Sequence, residues 1–254
     1  MDLTDRTAVV TGGGTGIGAA VCSALVAAGV RQVLLTYSRS ADEAEQTAAA
    51  LRDAGASAEA VALDVRRDDD VRALASACEF RFGGCDLLVN NAGTTSWVPL
   101  PDLDALDDSA WQDVLDVNVV GAFRCTRALA PQLRASSGAV VNIGSISAYR
   151  GIGSSIAYSV SKAALLQLTR ALAVALAPEV RVTSVSPGTV DTRWQRDHHG
   201  DEGFADLTER ERAVSPLART ARPADVADAV LGLLRADMVT GVDVIMDGGK
   251  HLLY

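Results

Sequence analysis

The chain has 254 residues, of which 48% are hydrophobic and 22% charged, and its formal net charge is -9. This composition suits one large α/β domain or two small ones, and the acidic balance without a Lys/Arg stripe argues against nucleic-acid binding. The start "MDLTDRTAVVTGGG" lacks the basic and apolar regions of a secretory signal, and no apolar run of about 18 residues predicts a membrane span. We therefore expect a cytoplasmic protein with reduced cysteines.

Short apolar strands alternate with helices along the chain. The strands are predicted at 7–12, 32–37, 58–65, 86–93, 138–145, 181–188 and 241–249, and the helices at 16–29, 41–55, 68–82, 108–133, 155–177 and 222–235. Strands that are apolar throughout and alternate with helices predict a parallel sheet covered on both faces. Right-handed crossovers make this a doubly wound α/β sheet of about seven strands, so we expect residues 1–254 to form one domain.

The turn after the first strand, "VVTGGGTGIGAA", holds five glycines in seven residues. Gly12, Gly16 and Gly18 follow the spacing G-x3-G-x-G. Glycines permit a tight turn, close approach of the backbone to a pyrophosphate, and close packing of helix on strand. A plain strand–helix turn needs one or two glycines, so the excess predicts a dinucleotide site at the start of the first helix.

The end of the second strand, "LLTYSRS", bears on the choice of dinucleotide. An acidic residue there would accept hydrogen bonds from a ribose 2′-hydroxyl. This chain has Thr36 at that place and Arg39 shortly after it. Arg39 could pair with a 2′-phosphate, which favours NADP over NAD, although a solvated surface arginine is the alternative.

Tyr158 and Lys162 stand four residues apart and therefore on one face of a predicted helix. A free phenol has a pKa near ~10, and a neighbouring ammonium would lower it, so the pair could move a proton to or from a substrate oxygen. Ser145 ends the preceding strand, where ligands bind in open α/β sheets, and could orient that oxygen. Asn118 interrupts an apolar helix, and either a water-linked proton path to Lys162 or a helix irregularity with a satisfied amide would explain it.

Seven motifs in this order resemble the short-chain dehydrogenase/reductase family, in its single-domain form of about 250 residues with a Rossmann fold. They are "TGGGTGIG", "NNAG", Asn118, Ser145, "YSVSK", "PGTVDT" and "VTGVDVIMDGG". The resemblance implies that Tyr158 is the acid/base, that Lys162 lowers its pKa and binds the nicotinamide ribose, that Ser145 steadies the substrate oxygen, and that Asn118 holds a relay water.

The resemblance also implies a set of cofactor contacts beside Tyr158, Lys162 and Arg39. These are Gly12, Thr15, Gly16, Ile17, Gly18, Asp64, Val65, Asn91, Ala92, Gly93, Pro187, Gly188, Val190 and Thr192. The family's NADP users often carry a basic residue where this chain has Thr15, so the NADP prediction depends on Arg39 and the missing acid. The two long helices would join subunits into a homo-tetramer or homo-dimer.

A long polar segment, Asp191–Thr220, follows the sixth strand. Loops of this size are usually functional or mobile, and the resemblance makes this one the substrate lid. We interpret His198 and His199 within it as solvated loop residues and predict no metal site. Expected liners of the substrate pocket are Thr94, Trp97, Ser147, Tyr149 and Trp194.

The predicted function is therefore hydride transfer between NADP(H) and a small ketone or secondary alcohol. A narrower alternative is a 3-oxoacyl-thioester reductase, for which Arg150 and Arg193 are candidate contacts to a phosphopantetheine carrier. An alternative of another class is a dinucleotide-sensing protein without catalysis. Binding alone does not require a tyrosine beside a lysine, which argues against that class.

Overall fold

A computed structural model describes residues 1–253 and contains a seven-stranded sheet in which every neighbouring pair of strands is parallel. The strands are β1 Thr7–Thr11, β2 Gln32–Tyr37, β3 Ser57–Ala62, β4 Leu87–Asn90, β5 Ala139–Ile143, β6 Arg181–Pro187 and β7 Asp243–Met246. Their order across the sheet is β3-β2-β1-β4-β5-β6-β7. The predicted doubly wound fold is confirmed, and the order reverses between β1 and β4, which opens a crevice at their carboxyl ends.

Helices cover both faces of the sheet. They are α1 Gly16–Ala27, α2 Ala41–Asp53, α3 Asp68–Phe82, α4 Asp108–Leu115, α5 Ala122–Ala135, α6 Ile156–Leu176, α7 Arg193–Val214 and α8 Pro223–Arg235. One core cluster joins α1, α2 and α8 to side chains such as Val10, and the other joins α3, α5 and α6 to side chains such as Val9. Neighbouring strand residues thus enter opposite cores, which is why the central strands are apolar throughout.

Among the helices of residues 1–253, α6 has the length and composition that would also suit a membrane span. Its residues Leu172, Ala173 and Leu176 are buried in the second core cluster. Apolar residues of α6 therefore pack against the rest of the fold.

Several predicted elements differ from the structure. The fourth and last strands are shorter than predicted, at Leu87–Asn90 and Asp243–Met246. The third strand ends at Ala62 and not at Val65, because the chain turns at Asp64, whose carboxylate accepts a hydrogen bond from the Arg66 backbone N–H at 3.0 Å. The segment expected to be an irregular lid is mostly helix α7, with one interruption at Gly200 (φ 69°, ψ 170°). Only Phe204 of α7 is buried, so its polar sequence reflects exposure of the helix to water.

The helix predicted at 108–133 is one continuous helical path with an irregular middle. A π-helical turn, Asp116–Gly121, connects α4 to α5. A π turn widens a helix by one residue and often occurs at functional sites. Asn118 lies in this turn.

Candidate active site

The glycine turn after β1 has backbone dihedral angles and close contacts that residues with a Cβ do not readily tolerate. Gly12 (φ +62°) and Gly16 (φ +53°) are left-handed, and a Cβ on Gly18 would lie 2.2 Å from the Gly12 carbonyl oxygen. A Cβ on Gly16 would point into the space facing Thr192, 3.5 Å from its methyl group. Thr15 is the extended N-cap of α1, and Ile17 packs its side chain on the first core cluster. The turn therefore offers bare backbone to the crevice.

Thr36 is buried at the end of β2 and supports the glycine turn. Its hydroxyl accepts a hydrogen bond from the Gly12 N–H at 3.2 Å, and its carbonyl accepts one from the Gly13 N–H at 2.9 Å. Arg39 follows on the surface. Arg39 is thus a cation exposed close to this strand end.

Arg193, at the start of α7, reaches the same end of β2. It donates to the Ser40 hydroxyl at 3.0 Å and forms an ion pair with Glu43 of α2. The lid helix and α2 are thereby joined. Arg193 is thus paired with groups at this end of β2.

Asp64 and Val65 lie just beyond β3. A hydrogen bond from Arg66 lowers the pKa of the Asp64 carboxyl. Val65 is buried against the π turn, where a Cβ on Gly121 would lie 2.6 Å from the Val65 methyl group. Both residues lie at the carboxyl end of the sheet, and Val65 also packs the π turn against it.

The segment after β4 ties the two sides of the crevice together. The Asn91 amide donates to the carbonyl oxygens of Thr11 (3.1 Å) and Gly12 (2.9 Å), and the Asn91 and Ala92 N–H groups donate to the Thr11 hydroxyl at 3.0 Å. Gly93 is exposed, and a Cβ there would lie 3.8 Å from the Lys162 Nζ. Asn91 therefore supports the glycine turn with its side chain.

A buried polar ladder that sequence reasoning missed runs behind this segment. The Asn90 amide donates to Asn142 Oδ1 at 2.9 Å and to the Thr126 hydroxyl at 3.1 Å, and the Asn142 amide donates to the Thr169 hydroxyl at 2.8 Å. The sequence feature that could have revealed this ladder is the single asparagine in the apolar strand "VVNIG". The ladder fixes β4 and β5 to α5 and α6, the helices that flank the site.

Tyr158, Lys162 and Ser145 converge at the carboxyl end of β5. Ser155 caps α6 by accepting from the Tyr158 N–H at 3.1 Å, which fixes the first turn of the helix. Lys162 is buried, its Nζ donates to the Ile143 carbonyl oxygen at 2.8 Å, and it lies 5.6 Å from the centroid of the Tyr158 ring. The Ser145 hydroxyl accepts from the Ser147 N–H at 3.2 Å.

The electrostatics of this group differ from the sequence prediction. Burial raises the pKa of Tyr158 to about 12, and the neighbouring Ser145 hydroxyl only partly opposes this. Burial lowers the pKa of Lys162 to about 8. The expected lowering of the Tyr158 pKa by Lys162 is not found in the chain alone, because the effect of burial dominates for both groups.

Asn118 is buried with its amide fully engaged. Its Oδ1 accepts from the Thr94 N–H at 2.8 Å, and its Nδ2 donates to the Thr94 carbonyl at 3.0 Å and to the Ser161 hydroxyl at 2.9 Å. Ser161 in turn donates to the Tyr158 carbonyl at 2.7 Å. The helix irregularity and the satisfied amide anticipated for Asn118 are both present, and the residue ties the π turn to α6.

The segment after β6 faces the glycine turn. The Gly188 N–H donates to the Met246 carbonyl at 3.0 Å beside Pro187, and a Cβ on Gly188 would lie 2.9 Å from Asp247 Cβ. Val190 is buried in the first core cluster, and Thr192 is the N-cap of α7. These predicted cofactor contacts therefore line one wall of the crevice with backbone and with Thr192.

Aromatic rings from α7 lie at the Tyr158 end of the crevice. The Trp97 and His198 rings stack with centroids 3.6 Å apart and planes at 5°, and Trp194 stands edge-on to Trp97 (6.4 Å) and to Tyr158 (6.2 Å). His199 meets Trp97 edge-on at 5.7 Å. The two histidines are therefore parts of a helix that contacts the site, and their interpretation as loop residues is wrong.

The other expected pocket liners have partners in the protein. The Thr94 backbone holds Asn118, as described above, and Ser147 donates its N–H to Ser145. The Tyr149 hydroxyl donates to Asp243 of β7 at 2.8 Å. Tyr149 therefore connects the β5 loop to the last strand.

Comparison with known proteins agrees with this geometry. Residues 12–251 match the short-chain dehydrogenase family model described as "Enoyl-(Acyl carrier protein) reductase". The chain is 43% identical to the protein named as ketoacyl reductase 2 of the granaticin polyketide synthase of Streptomyces violaceoruber, over 97% of this chain and 96% of that one. It is 36% identical to 2-(S)-hydroxypropyl-CoM dehydrogenase 3 of Xanthobacter autotrophicus, over 97% of each.

A crystal structure of a short-chain dehydrogenase/reductase from Burkholderia xenovorans superposes with a TM-score of 0.89 and 35% identity, over 97% of this chain and 98% of that one. Family match, relatives and fold agree over nearly the whole length. The chain belongs to the short-chain dehydrogenase/reductase family, enzymes that act on hydroxyl or keto groups with a nicotinamide dinucleotide.

Proposed function

We propose that this enzyme reduces ketones with NADPH and oxidises the corresponding secondary alcohols with NADP. The observation that carries the proposal is the convergence of the Tyr158 phenol, the Ser145 hydroxyl and the buried Lys162 beside the glycine turn. A site that only bound a dinucleotide would not need a phenol there. The family membership excludes the non-catalytic alternative as the leading function.

The residues fit a bound dinucleotide and divide its recognition among them. The glycine turn, with Thr15 and Ile17, would receive the pyrophosphate on bare backbone, and Asp64 and Val65 would border the adenine. The nicotinamide would lie between the β4 end (Asn91, Ala92, Gly93) and the β6 end (Pro187, Gly188, Val190, Thr192). When bound, the nicotinamide supplies or accepts the hydride.

The protein's part is to place the substrate oxygen and to move one proton. At neutral pH the Tyr158 phenol keeps its proton, since burial holds its pKa near 12, and it can donate that proton to the oxygen of a ketone. Ser145 orients the same oxygen with its hydroxyl. Lys162, with a pKa of about 8, can exchange a proton near neutral pH, and a water held near Asn118 would connect it to solvent.

The preference for NADP is supported by the end of β2. β2 itself ends without an acid that could accept from a ribose 2′-hydroxyl, and Thr36 at that place is buried and bonded to the glycine turn. Arg39 is exposed next to it and can form charge-assisted hydrogen bonds with a 2′-phosphate.

A panel of ketones followed by NADPH absorbance tests the activity. We expect Tyr158→Phe to lower kcat by about 100-fold or more, because it removes the general acid, while the Kd for NADPH stays within about twofold. Phe80→Leu, which removes an exposed ring on α3, is the control. Equal turnover by wild type and Tyr158→Phe would refute the proposed role.

The cofactor preference is tested by kcat/KM for NADPH and NADH. We expect Arg39→Ala to lower kcat/KM for NADPH by about 10-fold or more and to leave NADH nearly unchanged, since hydrogen bonds to charged groups contribute about 1.5–3 kcal/mol. Arg31→Ala, at the opposite end of β2, is the control. A wild type that prefers NADH would contradict the proposal.

The narrower alternative, reduction of 3-oxoacyl thioesters, is favoured by the names of the Streptomyces violaceoruber relative and of the matching family model. Of the two arginines considered for a carrier, Arg193 is engaged with Ser40 and Glu43. Comparing one 3-oxoacyl group on an acyl carrier protein and as a short thioester decides this. A kcat/KM at least 10-fold higher for the carrier-bound form would favour the alternative.

We also propose that the enzyme is a homo-oligomer joined through α4, α5 and α6. Val120, Phe123 and Val160 on this helical surface are 36%, 38% and 44% exposed. Burying them would favour association. Light scattering at micromolar concentration should give a dimer or a tetramer, and a monomer would contradict this.

A further inference from the structure

We infer that the face of Trp97 is a slot for a planar ring of the substrate, and that His198 occupies this slot when no substrate is present. The Trp97 indole and the His198 imidazole lie parallel, 3.6 Å apart with a 5° angle between their planes. The chain itself thus shows that a flat conjugated ring fits against Trp97. This inference rests on the proposed ketone reductase activity, and it names the class of substrate.

The slot and the reacting group are connected by one side chain. Trp194 contacts Trp97 edge-on on one side and Tyr158 edge-on on the other, at 6.4 and 6.2 Å. A substrate whose ring takes the place of His198 would therefore extend past Trp194 to bring its carbonyl to Tyr158.

The Trp97 side of the slot is held firmly. The Thr94 backbone is bonded to buried Asn118, the Thr95 hydroxyl contacts the Ser154 hydroxyl at 2.5 Å, and the Val98 N–H donates to the Ser154 carbonyl at 2.9 Å. These bonds attach the segment around Trp97 to the π turn and to the start of α6. Trp97 is therefore a fixed wall.

The His198 side is held loosely. Within residues 1–253 the His198 imidazole has ring contacts to Trp97 and His199 and no hydrogen bond, and the residue is exposed. The helical segment that carries it, 193–199, ends at the non-helical Gly200, where a Cβ would meet no atom within 4 Å. Partial desolvation in the ring stack and the neighbouring His199 lower the pKa of His198 and favour the neutral ring, which gains no charge-assisted contact. A substrate ring can therefore displace it.

A flat face selects among ketones by shape. Aromatic and conjugated rings stack on indole at van der Waals distance over their whole area, whereas puckered saturated rings touch it at a few atoms. We therefore expect planar, ring-fused ketones to be preferred over saturated bicyclic ketones of the same size. A linear acyl chain would contact the indole face no better than it would contact a leucine side chain. We therefore expect Trp97 to give linear substrates no advantage.

The experiment compares a benzo-fused cyclohexanone with its fully saturated bicyclic counterpart. Ketone Kd is measured by tryptophan fluorescence in Tyr158→Phe loaded with NADP, and KM is measured in the active enzyme. In both backgrounds we expect Trp97→Leu to raise the Kd or KM of the planar ketone by about 3- to 10-fold, and that of the saturated ketone by less than twofold. Trp97→Phe should restore most of the lost affinity for the planar ketone, and His198→Ala should lower the Kd of that ketone.

Phe80→Leu, which removes an exposed ring on α3, is the matched control, and an unchanged NADPH Kd shows that each variant is folded. Equal weakening of both ketones by Trp97→Leu would overturn the inference. A wild type that binds the planar ketone selectively but reduces neither would support the slot and refute the proposed activity.

Discussion

The two walls of the crevice are built differently. On the β1 side, the glycine turn is held by buried groups: Thr36 bonds Gly12 and Gly13, and Asn91 bonds the carbonyls of Thr11 and Gly12. On the α7 side, one residue, Phe204, is buried, and the contacts near the crevice include stacked rings and exposed ion pairs such as Arg196–Asp191.

This difference suits the two walls to different ligands. Buried hydrogen bonds and close backbone packing leave one geometry for the turn, as expected for a site that must fit a constant cofactor. Exposed ion pairs contribute about 0–1 kcal/mol each, so the α7 wall can adjust to different substrates.

The largest effect is expected on the rigid wall. A Cβ on Gly18 would lie 2.2 Å from the Gly12 carbonyl oxygen, so Gly18→Ala forces the turn apart. We expect a loss of about 3 kcal/mol in the free energy of unfolding and a rise of at least about 10-fold in the dinucleotide Kd. Urea denaturation and isothermal titration calorimetry measure these.

The control is Gly232→Ala in α8, where a Cβ meets no atom within 4 Å. Alanine has a higher helix propensity than glycine, so the free energy of unfolding of this variant should rise by up to about 1 kcal/mol. Its dinucleotide Kd should stay unchanged. If both glycine variants behaved alike, the rigidity attributed to the turn would be wrong.

An intermediate effect is expected at Lys162. Burial lowers its pKa from 10.5 to about 8, which corresponds to roughly 3 kcal/mol against folding at pH 7. The bond to the Ile143 carbonyl offsets about 1 kcal/mol of this. In the absence of cofactor we therefore expect Lys162→Met to raise the free energy of unfolding at pH 7 by about 1–2 kcal/mol.

The pH dependence has a defined sign. Between pH 8 and 10.5 the unfolded lysine binds more protons than the folded one, so wild-type stability rises with pH relative to the variant. The advantage of Lys162→Met should therefore shrink through this window. A stability difference that stays constant from pH 7 to 10 would show that Lys162 is not desolvated as described.

The smallest effect on global stability is expected in α7. Gly200 has φ 69° and ψ 170°, a conformation nearly restricted to glycine, so Gly200→Ala adds strain of about 1–3 kcal/mol. Because α7 is little buried, we expect the strain to loosen this helix and to change Tm by no more than about 2 °C. Hydrogen exchange should speed up in residues 193–214.

Gly203→Ala, at an ordinary helical position in α7 with its nearest contact at 3.5 Å, is the control and should slow that exchange. A large drop in Tm for Gly200→Ala would mean that α7 is as tightly coupled to the core as the glycine turn.

The sequence by itself determined the order of strands and helices, the glycine turn and the placement of Tyr158 and Lys162 on one helical face. These features depend on local periodicity and on backbone sterics, which a short stretch of chain contains. Residues 191–220 show the limit: their polarity indicated a loop, yet they form α7, because a helix exposed to water needs no apolar stripe.

Only the tertiary structure decided the contacts between distant residues. The Asn90–Asn142–Thr169 ladder, the reach of Arg193 to Ser40 and the stacking of His198 on Trp97 join segments that are 27 to 153 residues apart in the chain. The opposite pKa shifts of Tyr158 and Lys162 likewise come from burial beneath several elements. Desolvation and contact geometry exist only once the chain is folded, so local patterns could not reveal them.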